Sequence, residues 1–220
     1  MNDEMVQRYL RQNGPEGVSG WLMLLIDPFT YVAGWRALGW GLVVLAATIA
    51  IAVTGRIHYD GVMDMHIYLV QAPAWLYALQ PVADWLIVAL VFWLAGRIFS
   101  RSKQRGIDYF GTTALARVPY LIAGILWMPS LLGRFSKMAG ADEHSLERFI
   151  SLPGLPWLII GMLITLVLVA WLAVINYFAL KESSGMRHGR ALAVFIGATI
   201  VAEIVSKLAI LLVGSSAGVF

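Results

Sequence analysis

At 220 residues, 60% hydrophobic and 13% charged, with a mean hydropathy of +0.76, the chain is too apolar for an ordinary soluble domain and takes lipid as its solvent. A hydrocarbon layer of about 30 Å needs about 20 apolar residues per helical crossing, so the length allows about four to six crossings and excludes a separate soluble catalytic domain. The net charge of +3 contains no basic run that would suggest nucleic acid, and the absence of Cys excludes disulfides, thiolate metal sites and Cys nucleophiles.

Residues 1–36 read as a cytoplasmic N-terminal region. Met1 to Gly20 carries Asp3, Glu4, Arg8, Arg11 and Glu16 and lacks the apolar run of a cleavable signal, so the first span is expected to drive insertion. The run Trp21 to Ile26 is too short to cross, and Asp27-Pro28 follows it, where Pro disfavours a helical conformation for the residue before it. An interfacial or re-entrant segment is predicted, with Trp21 and Trp35 at headgroup depth. Five spans then follow near Ala37–Thr54, Pro81–Phe99, Phe110–Leu132, Pro156–Leu180 and Ala191–Gly214, leaving 215–220 as a short outer tail. The linker Ala72–Tyr77 reads as interfacial. The expected fold is an all-α membrane bundle of about five transmembrane helices, in which no internal repeat supports an inverted-repeat transporter.

Lys and Arg in short loops are retained on the cytoplasmic side. One side carries Arg8, Arg11, Arg36, Arg97, Arg101, Lys103, Arg105, Lys181, Arg187 and Arg190, against Arg56, Arg134, Lys137 and Arg148 on the other. This asymmetry predicts a cytoplasmic N-terminus and an outer C-terminus.

Three ionisable residues sit where an insertion cost of at least about 2.5 kcal/mol discourages them: Arg117, Glu203 and Lys207. Arg117 lies about 14 Å beyond Asp108 at the helical rise, and Glu203 about 20 Å beyond Arg190. Both helices enter from the cytoplasm, so the remaining difference of about 6 Å is within reach of an Arg side chain, and an Arg117–Glu203 contact is expected. Glu203 and Lys207 are spaced as a same-face pair with the acid first. Thr199 and Ser206 extend that stripe, and Thr113, Arg117, Tyr120 and Gly124 form a second one on the third helix, predicted to face the first. Such a cluster can lock helices together, at about 0.6 kcal/mol per polar contact, or line a proton, ion or lipid-headgroup path with Glu203 as the titrating group.

The predicted outer loop brings His58, Asp60, Asp64 and His66 close together, all ligand types for zinc or a similar metal. The spacing matches no established site, and a polar loop with capping aspartates at a water interface is the preferred reading. Asp84 reads as a helix N-terminal acid, Asn176 and Tyr177 as interhelical hydrogen bonders, and Pro119 and Pro129 as kinks. The chain has no Gly-rich phosphate loop, nucleophile elbow or His-Glu-x-x-His pattern, so no catalytic residue and no cofactor is assigned.

Three stretches carry a family resemblance: Leu24-Leu25-Ile26-Asp27-Pro28-Phe29, then Gly111-Thr112-Thr113-Ala114-Leu115-Ala116-Arg117-Val118-Pro119-Tyr120, then Tyr177 to Met186 with Arg190-Ala191. With them the chain resembles the bacterial branch of the Yip domain family, the Ypt/Rab-interacting integral membrane proteins, over roughly residues 20–213. The resemblance implies a small, non-enzymatic five-span membrane bundle with a cytoplasmic N-terminus and does not specify its role; the bacterial inner membrane is the expected location, with the lipid bilayer and a membrane-protein partner or second copy as expected associates. In eukaryotic members it would imply binding of Rab GTPases by a cytosolic N-terminal region. Here that region is short and the family's Asp-Leu-Tyr-Gly-Pro sequence is matched at best by Asp108-Tyr109-Phe110-Gly111, so GTPase binding is not carried over. A membrane-organising or adaptor role is the leading expectation. A small transporter or lipid-translocating protein is the alternative, and a metal-dependent membrane hydrolase at the outer loop is a distant third.

Overall fold

The computed structural model describes residues 23–65, 72–127 and 155–216. Among them are six α-helices: α1 Gly34–Gly55, α2 Ala74–Phe99, α3 Gly106–Leu115, α4 Val118–Leu126, α5 Leu155–Ser184 and α6 His188–Ser216. With α3 and α4 taken as one broken crossing, five helical segments are long and apolar enough to span a bilayer, and the described residues contain no β-strand. The all-α, five-span expectation is met.

The boundaries shift where Pro was read as punctuation. The second span begins at Ala74 rather than Pro81, so part of the linker expected to lie at the interface is helical. Pro81 lies inside the helix, where its missing N–H removes one backbone bond without ending the run. Pro119 does interrupt the third span. It cannot donate to the Leu115 carbonyl, and the chain tightens into a turn in which the Arg117 N–H reaches Ala114 at 3.3 Å before α4 starts. Residues 128–132 of that predicted span, Pro129 among them, lie outside the described residues, as do the predicted outer tail beyond 216 and Trp21.

The broken span is the hub. Of its most apolar stretch 61% is buried, against 22–33% in the other four, and it packs on α1, α2 and α5. Its fit to α1 rests on two glycines. A Cβ on Gly41 would come within 2.7 Å of the Leu115 amide nitrogen, and one on Gly111 within 2.8 Å of the Leu38 nitrogen, so the helices meet backbone to backbone. The last helix, α6, packs on α2 and α5.

Ahead of α1, residues 23–26 form a helical turn, and the Leu25 carbonyl accepts a 2.7 Å bond from the Trp171 indole of α5. Asp27 then caps the short 3-10 helix Pro28–Thr30, accepting from the Thr30 amide at 3.4 Å and its hydroxyl at 3.0 Å. Phe29 buries itself against Ala116, Ile175 and Ala179, which ties the segment to the hub and to α5.

Candidate functional site: a charged cluster inside the bundle

The polar side chains of the spans converge on the middle of the bundle. Asp84, Arg117, Tyr120 and Ser206 are each at most 4% exposed, and they come from α2, the α3–α4 break, α4 and α6. Ser206 donates its hydroxyl proton to Asp84 Oδ1. The Tyr120 ring lies 5.9 Å from the Arg117 guanidinium carbon, within cation–π range. No ion pair within 4 Å joins Arg117 to an acid among the described residues. Three atoms of this cluster, Asp84 Oδ2, Arg117 Nη1 and the Tyr120 hydroxyl, are buried without a protein hydrogen-bond partner.

The connection between α1 and α2 closes one end of the cluster. Arg56 takes a left-handed conformation, φ 52°, at the end of α1 and turns the chain inward. Ile57, His58, Tyr59 and Val62 are then buried. The Tyr59 hydroxyl donates to the Tyr120 carbonyl at 3.2 Å, the Tyr59 amide donates to Gln80 Oε1 at 3.2 Å, and His58 Nδ1 lies 3.0 Å from Gln80 Nε2. A buried phenol lacks water to solvate its anion, so desolvation raises the Tyr59 pKa above its ordinary value, against the opposing pull of Arg117. On the α6 side, Glu203 accepts from the Met63 amide at 3.2 Å and pairs with Lys207 at 3.5 Å, while Lys207 pairs with Asp64 at 2.6 Å.

The expected Arg117–Glu203 contact is corrected by this arrangement. Ser206 of the α6 stripe donates to Asp84 of α2, while Glu203 turns toward the in-folded connection. The Glu203–Lys207 pair forms as the spacing predicted. Of the other stripe residues, the Thr113 hydroxyl donates to the Tyr109 carbonyl of its own helix at 2.7 Å, and the Thr199 hydroxyl oxygen is buried without a partner. Asn176 donates to the Leu172 carbonyl of α5 rather than across helices, and Tyr177 does bond across, to His188 of α6.

Asp84 is the residue that sequence reasoning misplaced. Read from Pro81 it is a first-turn acid, but α2 starts at Ala74, which puts Asp84 in the helix interior and fully buried. Counted from Arg97 instead, it lies about 20 Å deep, the depth that singled out Glu203.

Of the four metal-ligand candidates, His58 turns to Gln80 and Asp64 to Lys207, Asp60 is partly buried between them in sequence, and His66 lies outside the described residues. Among the described residues, no three His, Asp or Glu side chains gather as a metal site would require.

The family model of the Yip1 domain matches residues 21–210. The chain belongs to the Yip1 domain family. The matched stretch takes in all five crossings up to Ile210 of α6 and every residue of the buried cluster. Nothing among the curated proteins or the solved structures matches the chain. In this Yip1 domain the break at Arg117 and Pro119 supplies the central cation, and the in-folded connection supplies the cover over it.

Proposed function

We propose that this Yip1-family protein is a non-enzymatic membrane-organising or adaptor protein, seated in the bacterial inner membrane with its N-terminus in the cytoplasm, whose buried charges fix how its helices pack. The observation that carries the reading is the burial of the polar cluster inside the bundle: Asp84, Arg117, Tyr120 and Ser206 are each at most 4% exposed, Ser206 donates to Asp84 across α6 and α2, and the Tyr59 hydroxyl of the in-folded connection donates to the Tyr120 carbonyl. The faces left over on α1, α2, α5 and α6 are broad and apolar, suited to lipid or to the spans of a partner. Crosslinking in native membranes followed by pull-down tests this: a specific membrane partner or a homo-oligomer is expected, and recovery of monomer alone overturns it.

A second reading, a small transporter or lipid-translocating protein, draws on the unpartnered atoms of Asp84, Arg117 and Tyr120, because buried polar groups without protein partners are where a transported ion, proton or headgroup would bind. Asp84→Asn, rather than a change at Glu203, is the discriminating variant. Proton or lipid flux in reconstituted vesicles that is unchanged by this substitution removes the transport reading.

A further inference from the structure

A groove of about 650 Å³ opens between α2 and α6 on the outside of the bundle, away from the charged cluster. Val91, Leu94 and Ala95 form one wall and Ala193, Gly197 and Val201 the other, so the lining is almost wholly apolar. One charged residue lines it, Arg190, in the first turn of α6. We propose that this groove holds an acyl chain of an anionic phospholipid, with the lipid phosphate at Arg190.

Four observations carry the assignment. First, the groove is one leaflet long. Arg190 and Val201 are eleven residues apart on α6, about 16 Å at the helical rise, which matches half of a hydrocarbon core of about 30 Å. Second, Arg190 has no acidic partner among the described residues, so its charge is available at the level where a headgroup sits. Third, the positive end of the α6 dipole lies at that same level and favours a phosphate beside it. Fourth, a Cβ built on Gly197, midway along the α6 wall, meets nothing within 4 Å, so the lane is open there.

An anionic headgroup follows from the charge and from the basic turns at this end of the bundle, where Arg97, Arg101, Lys103 and Arg187 lie in or beside the α2–α3 and α5–α6 turns, Arg105 and Lys181 there being paired with Asp108 and Glu182. A helix from a second copy fits less well, because a crossing helix runs the full thickness of the bilayer and would cover the unpaired Arg190 with apolar surface.

The test is native mass spectrometry of the full chain released from detergent, with phosphatidylglycerol added and phosphatidylcholine as the neutral comparison. The parent is expected to retain one phosphatidylglycerol about fivefold more than phosphatidylcholine, the effect of a single interfacial cation. Arg190→Gln should bring that ratio close to one while leaving lipid retention itself. Gly197→Leu should lower retention of both lipids, because it fills the lane without meeting a neighbour. Ala193→Leu, at a second exposed position on the same wall, provides the same reading if the first variant is poorly folded. Equal retention of the two lipids by the parent overturns the proposal, as does retention unchanged in both groove-filling variants. A shift from dimer to monomer in those variants with lipid retention unchanged also overturns it, in favour of a second copy's helix in the groove.

Discussion

Lys207 of α6 and Asp64 of the connection between α1 and α2 form an ion pair of 2.6 Å, which fastens the in-folded connection to the far side of the bundle. Glu203, one turn earlier on α6, reinforces it by accepting from the Met63 amide and by pairing with the same Lys207. The clasp is partly exposed, with 49% of the Lys207 side chain and 36% of the Asp64 side chain accessible, so its contribution to global stability is at most about 1 kcal/mol. Its larger effect is on local opening. In a chain with no native Cys, Val62→Cys is a clean reporter, since Val62 is buried at 3%. Maleimide labelling of Val62→Cys is expected to be slow in the parent and at least several-fold faster when Lys207→Met is added, with little change in melting temperature. Equal labelling rates would show that Tyr59 and His58 hold the connection without the clasp.

Removing the central cation is expected to cost much more. Arg117→Leu leaves the Asp84 carboxyl buried in the bundle without the buried guanidinium, and a loss of about 1–3 kcal/mol is expected. The double variant Asp84→Leu with Arg117→Leu should recover part of that loss, because no buried charge is then left uncompensated. Thermal unfolding of the purified variants in one detergent measures both. Strictly additive losses would mean that the two residues act independently.

Gly41 and Gly39 should respond oppositely to the same change. Gly41→Leu drives a side chain into the backbone of the third span at Ala114 and Leu115 and is expected to abolish or strongly reduce folded protein. Gly39 faces open space, with nothing within 4 Å of a built Cβ, so Gly39→Leu should fold like the parent. Yield of monodisperse protein from detergent-solubilised membranes compares the two, and equal yields would contradict the close crossing of α1 and α3.

Asp27 provides a pH signature outside the spans. Burial raises its pKa above 3.8, opposed by its hydrogen bond from Thr30, with Glu182 raising it and Lys181 lowering it further. An acid whose folded pKa is raised holds its proton longer in the folded state than in the unfolded one. Its contribution to stability is therefore favourable at acid pH and declines as pH rises from 3.8 through the folded value. Asp27→Asn keeps an acceptor for the Thr30 amide and removes the titrating group. It should melt with a flatter pH dependence across that window and, at neutral pH, no lower than the parent. A steeper dependence in the variant would reverse the assignment.

Much of the architecture was legible from one dimension. The five apolar runs, the same-face Glu203–Lys207 pair and the Yip family likeness over roughly 20–213 all follow from order along the chain. The second boundary was missed at Pro81 because Pro fits the first turn of a helix without loss and so reads as a start, whereas membrane helices also tolerate it in their interior where neighbouring groups re-satisfy the freed backbone. That one shift hid Asp84, the buried acid that Ser206 of α6 bonds across the bundle. The connection after α1 read as a polar loop because its imidazoles and carboxylates dominate the composition, whereas Ile57, Tyr59 and Val62 are what bury it.

The sequence by itself determined that this protein lives in lipid, how many times it crosses and which charges are out of place, because hydropathy and helical rise are properties of a single run of residues. Only the tertiary structure decided which charge meets which. Depth places Arg117 and Glu203 within reach of each other, but contact also requires neighbouring helices with suitable rotations, and Glu203 of α6 faces the connection after α1 while α2 packs beside the third span. The anomalous cation in the third span is therefore buried beside Tyr120 rather than paired with Glu203, and Glu203 of the last helix is left to hold the cover.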